Sequence, residues 1–373
     1  MVTLKLERTL LIGTVIILCL LGLFFVFESS AVESFKQDGT AFYFLKNQSL
    51  GFIVGLVAMI VAAFIPVKTY LKWPYFFYFA ALLSGALCFL PGFGEILVGD
   101  VVTNGARRWI YIFGISVQVA EIMKFCLIIF FAYLFSKTCD WKVFLSYLIA
   151  PVALLLLQKD LGSLLVIAAI IFGLYFLAGA DLKIYGKIIL VSLIAVVAMI
   201  FLSPYRRERA ITFLNPQADT QDTGYHVNQL KIGIGRGGLF GQGIGNSRQK
   251  YAYIPFASSD SIFSIISEEV GFLGSSFILL IFVFYLYLIW RIVQIAPLAM
   301  SEKLVGSGIF LLFVSQIFIN LGAISGLVPL TGITLPFFSA GGSSLVISLF
   351  LTGVVISLSR ESEQKSPRRK RYA

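Results

Sequence analysis

Residues 161–177 read LGSLLVIAAIIFGLYFL, without a charged side chain from end to end. The hydrocarbon core of a bilayer is about 30 Å thick, and a helix needs roughly 20 mostly apolar residues to cross it. A second run, IILVSLIAVVAMIFL over 188–202, repeats the pattern soon after. Neither shows the alternation of apolar and polar positions that a barrel strand would carry. Lipid offers no partner to a backbone N–H or C=O, so each segment must bond its own, and a bundle of helices is the expectation. The fold class is therefore all-α, a polytopic membrane protein. Composition agrees: 58% of the 373 residues are hydrophobic, 13% are charged, and the mean hydropathy is +0.92, outside the range of a soluble domain.

Working outward, apolar spans fall near 9–28, 49–65, 75–91, 118–136, 142–157, 161–179, 186–203, 264–290, 304–326 and 340–358. These ten spans place both termini on one side. The first, running from Thr9 to Phe27, is too long for a signal peptide and lacks a small-residue cleavage motif before the polar stretch Glu28 to Gln48. The whole chain, 1–373, reads as one membrane domain with a large polar loop at 204–260, between the seventh and eighth spans, and a basic tail at 361–373. Cys19, Cys88, Cys126 and Cys139 have no metal or redox spacing and read as small core hydrophobes.

Charge sets the orientation. Lys5 and Arg8, Lys68 and Lys72, Lys137 and Lys142, Lys183 and Lys187, Arg291 and Lys303, and the tail Arg368 to Arg371 share the side of the termini, which the positive-inside rule makes cytoplasmic. On the other side stand Arg107 and Arg108, then Arg206, Arg207, Arg209, Lys231, Arg236, Arg248 and Lys250. Long loops translocate whatever their charge, so a solvated surface is one reading. The other is a basic cleft for an anion. Arginine forks suit phosphate oxygens, and a pyrophosphate-linked lipid headgroup is such an anion.

The acidic residues near the spans divide in the same way. Glu121 and Lys124, three apart at the start of the fourth span, either neutralise each other or line a polar cavity. Asp160 either caps the next helix or belongs to a site. Glu268 and Glu269 enter the eighth span where a helix dipole favours acids. Asp260, after Ala257-Ser258-Ser259, can cap that helix, and it also stands where an acceptor hydroxyl from outside would meet a carboxylate. His226 is the only histidine, with no G-x-S-x-G elbow or H-E-x-x-H motif beside it, which speaks against a serine triad or a zinc site. The glycines from Gly233 to Gly245 follow no βαβ strand, so nucleotide binding is rejected; they suit a loop that re-enters the headgroup region and approaches a ligand closely.

Several motifs together resemble the shape, elongation, division and sporulation (SEDS) family, which includes FtsW, RodA and SpoVE proteins. They run in order through Phe44-Leu45-Lys46-Asn47-Gln48, Asn104-Gly105-Ala106-Arg107-Arg108-Trp109-Ile110, Asp160-Leu161-Gly162-Ser163 and Ile211-Thr212-Phe213-Leu214-Asn215-Pro216. Next come Gly224-Tyr225-His226-Val227-Asn228-Gln229, Gly245-Asn246-Ser247-Arg248-Gln249-Lys250, Asp260-Ser261-Ile262-Phe263 and Glu268-Glu269-Val270-Gly271. Gly326-Leu327-Val328-Pro329-Leu330-Thr331-Gly332, Leu335-Pro336-Phe337 and Gly341-Gly342-Ser343-Ser344 complete the match, which covers nearly the whole chain.

The resemblance implies ten spans, a large extracellular loop, and a glycosyltransferase that joins lipid II disaccharides into peptidoglycan at the outer face of the bacterial cytoplasmic membrane, with both termini cytoplasmic. It assigns Asp260 as the catalytic residue, a base toward the attacking sugar hydroxyl. Arg107, Arg108, Arg209 and Lys250 become candidates for the pyrophosphate and glycan, Glu121, Lys124 and Asp160 shape the cavity beneath, and Trp109 and Ser343 join the substrate-binding set. A divalent cation, Mg or Mn, could assist the leaving group, though no ligand cluster demands one. The implied partners are a class B penicillin-binding protein transpeptidase, divisome proteins and membrane lipids, with no nucleic acid. The motifs around Arg107 and Arg248 look more like the division (FtsW) branch than the elongation (RodA) branch. This chain has Gln118-Val119-Ala120-Glu121 where the family usually reads Gln-Pro-Ser-Glu, and Phe256 where it usually has glutamate. A lipid II flippase and a structural scaffold of the division machinery are the competing readings, and a RodA-type elongation polymerase is the alternative within the family.

Overall fold

The structure, a computed structural model, describes residues 2–89, 109–112, 115–201, 207, 211–213, 223–250 and 258–365. Among these, each of the ten apolar runs falls on a helix. These ten are α1 (Val2–Asp38), α2 (Tyr43–Phe64), α4 (Pro74–Leu87), α5 (Val119–Lys137), α6 (Trp141–Leu157), α7 (Leu161–Leu177), α8 (Leu182–Phe201), α10 (Ile262–Ile295), α11 (Met300–Ser325) and α12 (Gly342–Lys365), with the short α3 (Val67–Leu71) between α2 and α4. Within the loop lies α9 (Thr223–Gly237). Six described helices are long and apolar enough to span a membrane by themselves, and α4, α6 and α7 are shorter apolar helices.

Two elements depart from the expectation. Before α5, β1 (Trp109–Ile112) pairs antiparallel with β2 (Ile115–Gln118), so a small hairpin interrupts the otherwise helical chain. α1 also continues far beyond Phe27, because Ser29, Ser30 and Ser34 give its polar extension a face small enough to bury.

Small residues set the closest crossing. A Cβ on Gly51 of α2 would lie 2.8 Å from Gly342 Cα of α12, and one on Gly353 would strike the Met59 carbonyl. In lipid, where association gains little from hydrophobicity, such close backbone approach supplies the packing. Elsewhere rings fill the space, as where Tyr78 of α4 meets Phe130 of α5 with centroids 4.5 Å apart.

The helix α10 is broken at Gly271 (φ 68°, ψ −169°). Its freed groups are bonded again by the glycine-rich segment that follows α9: Gln242 and Gly243 donate to the carbonyls of Glu268 and Glu269 (2.9 and 3.0 Å), and Phe272 and Leu273 donate to those of Gly238 and Leu239 (2.8 and 3.1 Å). A break in a membrane helix is tolerable only when its backbone finds such partners. Contact this close excludes side chains, since a Cβ on Gly241 would collide with the Glu269 carbonyl. The close approach expected of these glycines is thus made to a helix break.

Between α11 and α12 the chain enters the bundle as an irregular segment, with Ile333, Leu335, Phe337 and Phe338 all buried. Buried irregular backbone must find side-chain partners. Asn320 Nδ2 donates to the carbonyls of Ile333 (2.7 Å) and Asp260 (2.8 Å), and Gln48 bonds Ser339 O and Gly341 N.

Candidate functional site

A small polar cleft is lined by Gln118, Glu121, Lys124, Asp160, Ser163 and the irregular segment Thr331–Thr334. Three chain regions build it. Glu121 stands in the first turn of α5, where the dipole favours a carboxylate, and Lys124 Nζ lies 2.6 Å from its Oε1 with both side chains almost wholly buried. The two sequence readings of this pair are therefore compatible: the charges neutralise each other and also face the cleft.

Asp160 supplies the second region. Lys159 (φ 58°) turns the chain sharply out of α6, and Asp160 caps α7, its carboxylate accepting from Ser163 N (3.0 Å) and Ser163 Oγ (2.8 Å). The cap faces the cleft as well. Gly162 seats α7 against the third region, because a Cβ there would lie 2.7 Å from Thr331 O. The Thr331 hydroxyl is buried without a hydrogen-bond partner, an acceptor and donor left for something the cleft receives.

Asp260 lies just before α10, half-buried, with its backbone carbonyl held by Asn320. The same Asn320 holds Ile333, so one amide ties the Asp260 backbone to the segment that lines the cleft. Only Gly332 separates them: a Cβ there would sit 3.9 Å from Asp260 Oδ2. Glu121, Lys124 and Asp160 thus line one opening, and Asp260 lies beside Gly332 at its wall.

The other candidates fare differently. Trp109 pairs with Gln118 across the hairpin, and Ser343 Oγ accepts from Gln118 N at 3.4 Å, so both reach the cleft through a residue that lines it. Lys250 does not join them. Its ammonium is buried between Glu28 (2.6 Å) and Glu269 (3.2 Å), tying the loop to α1 and α10. Burial pulls that ammonium's pKa down, but the two carboxylates outweigh it and hold the group above its ordinary value. The expected role of Lys250 toward pyrophosphate is therefore corrected to a structural tie. Glu268 and Glu269 likewise serve the loop: Glu268 accepts from Ser247 Oγ (2.6 Å) and lies 3.6 Å from Arg236 Nε, and Glu269 also accepts from Gly245 N (3.2 Å). Arg107, Arg108, Arg209 and the tail arginines lie outside the described residues, as does much of 204–260.

Among the described residues, no three His, Cys, Asp or Glu side chains gather to hold a metal ion. A divalent cation arriving with a diphosphate would need fewer protein ligands than that. Sequence reading missed Ser163, the 331–334 segment and the contact of His226 with Ser261. An apolar stretch interrupted by Pro329, Gly332 and Pro336 is the signal that could have marked the irregular segment.

Comparison with known proteins places this architecture. The chain is 35% identical over 363 residues to stage V sporulation protein E of Bacillus subtilis (strain 168), covering 95% of this chain and 97% of that one. It is 33% identical over 359 residues to a protein of Francisella salina named probable peptidoglycan glycosyltransferase FtsW, covering 93% and 87%. Among solved structures, a chain from "Structural coordination of polymerization and crosslinking by a peptidoglycan synthase complex" superposes with a TM-score of 0.74 at 28% identity, covering 95% of this chain and 98% of the other. The rod shape determining protein RodA of Thermus thermophilus gives 0.68 at 26%, covering 94% and 96%. With the family profile described as cell cycle protein matching residues 8–364, this membrane bundle belongs to the FtsW/RodA/SpoVE family.

Proposed function

We propose that the chain is a peptidoglycan glycosyltransferase that joins lipid II disaccharides into glycan strands, with the cleft beside Asp260 as its reaction site. The observation that carries this reading is the meeting of Asp260 with a cleft that holds an ion pair, a second carboxylate and an unpartnered hydroxyl. A sugar hydroxyl is a weak nucleophile. Asp260 takes its proton as the oxygen attacks the anomeric carbon, the bond from that carbon to the diphosphate breaks, and the diphosphate leaves with the bonding pair. Cations stabilise that leaving charge, a role that falls to Lys124 at the cleft and, by their place in the sequence before Trp109, to Arg107 and Arg108. The names of the FtsW relatives support the reaction class.

The same relatives favour a role in division. The neighbour taken from a peptidoglycan synthase complex supports a transpeptidase partner of the class B penicillin-binding type. The excess of lysine and arginine on the side of the termini supports a cytoplasmic location for both, with 204–260 outside. A cysteine at Thr220 will then react with a membrane-impermeant reagent added to intact cells; labelling only after the cytoplasm is opened would reverse this orientation.

Purified protein with its transpeptidase, given lipid II, will yield glycan strands, and Asp260→Asn will lower that yield by about 100-fold or more while its elution profile stays that of the wild type. Normal polymer from Asp260→Asn removes Asp260 from catalysis. Movement of lipid II across vesicles without any polymer from folded wild type favours a transporter.

A further inference from the structure

The histidine of α9 touches the approach to the proposed base. His226 Nε2 lies 3.0 Å from Ser261 Oγ, and Ser261 Oγ lies 3.4 Å from Asp260 Oδ1. With Asp260 taken as the ionised base proposed above, the direction of this chain follows. An ionised carboxylate has no proton to give, so the serine hydroxyl donates to Asp260. Its one proton spent, the oxygen receives N–H from His226, which places the imidazole proton on Nε2. Ser261 is 1% exposed, so bulk water does not substitute for either bond. The order differs from a serine triad, in which the histidine stands between the other two; here the serine does, and it is no nucleophile.

We infer that His226 and Ser261 are positioning residues that keep the Asp260 carboxylate ionised and aimed at the cleft, and that the loop helix α9 acts on the base through them. This inference rests on the assignment of Asp260 as base. The physical reason is that a hydrogen bond to the charged form of an acid favours that form and fixes its direction. Asn320 restrains the Asp260 backbone, and Ser261 Oγ meets its carboxylate.

α9 packs on α10 and α11. Among the described residues, α10 presents Glu268, held by Ser247 and near Arg236, and Glu269, held by Lys250 and Gly245. α11 and the segment after it carry no acid, lysine, arginine or histidine from Leu304 to Ser359. On α9 itself, Tyr225 is the neighbour of His226, Lys231 reaches Gly326, and Arg236 lies further along.

The test is the pH profile of initial polymerisation rates between pH 5 and 9, measured on the full chain with its transpeptidase and lipid II. Ser261→Ala and His226→Ala will move the acidic limb upward by about one pH unit, a roughly tenfold loss below it, with KM for lipid II and the alkaline plateau within about twofold of wild type. His226→Gln, whose amide N–H can replace Nε2–H, will return the limb toward its wild-type position. A limb that stays in place in Ser261→Ala overturns the inference, and so does a uniform loss at every pH, which marks a structural role. Should His226→Ala fail to fold, Ser261→Ala removes a single buried oxygen and decides alone. Asp260→Asn, run alongside, separates the two claims: if it stays active the base assignment has failed, whereas if it is dead and the limb is unmoved only the positioning role has.

Discussion

Two clusters of buried charge, built from the same residue types, have opposite surroundings. Around Glu121, Lys124 and Asp160 the neighbouring chain leaves a cleft and an unpartnered Thr331 hydroxyl. Around Glu28, Lys250, Glu268 and Glu269 the chain closes in, and the amides of Gly245, Arg248 and Gln249 are directed at the two adjacent carboxylates. The first cluster borders the cleft; the second is engaged by the loop, with only Glu269 Oε2 and Gln249 Oε1 left buried there without a hydrogen-bond partner among the described residues. Charge in or beside a membrane span thus marks a site only where packing has left one side open. A buried pair is otherwise a way of fastening elements together, costly to break because the remaining charge is stranded.

The largest test of this contrast removes one cation from each cluster. Lys250→Met leaves Glu28 and Glu269 facing each other in a buried space and will cost about 3–5 kcal/mol of stability. Thermal unfolding in detergent followed by size exclusion will register it, while activity per folded molecule stays within about twofold. Lys124→Met strands the equally buried Glu121 and will also cost about 3–5 kcal/mol, but it will in addition cut the polymerisation rate per folded molecule about tenfold or more. If Lys250→Met costs more rate than Lys124→Met, the two clusters have been assigned the wrong way round.

Smaller effects sharpen the closed side. Gly241→Ala forces a side chain onto a backbone at φ 84° and into the Glu269 carbonyl, and will destabilise by about 2–3 kcal/mol through the α10 break. Gly235, inside α9 with nothing within 4 Å of a Cβ, will gain about 0.5–1 kcal/mol on becoming alanine. Equal losses at both glycines would show that the whole segment, and not its contact with the broken helix, is what matters.

Particular residues show how far the chain could be read in advance. The spans were legible because a bilayer makes each helix solve its own backbone bonding, so a run such as 161–177 is sufficient by itself. The hairpin carrying Trp109 was not: its strands are four residues each and find their partner through register, which leaves little trace in composition. Asp160 and the Glu121–Lys124 pair could be singled out, since a charge beside an apolar run is conspicuous. Lys250 could be singled out too, and for a wrong reason, because its partner Glu28 lies 222 residues away.

The amino-acid sequence by itself determined that this protein is a bundle of membrane helices, the approximate limits of each span and, through recurring motifs, its family. Tertiary structure alone decided which charges distant along the chain meet. Helix formation in lipid is a local requirement met within about twenty residues, whereas a site is a juxtaposition of side chains whose distances depend on every crossing between them. Asn320 gives the measure of that difference. From α11 it holds the backbones of both Asp260 and Ile333, and no local pattern announces that one amide would join those two stretches of chain.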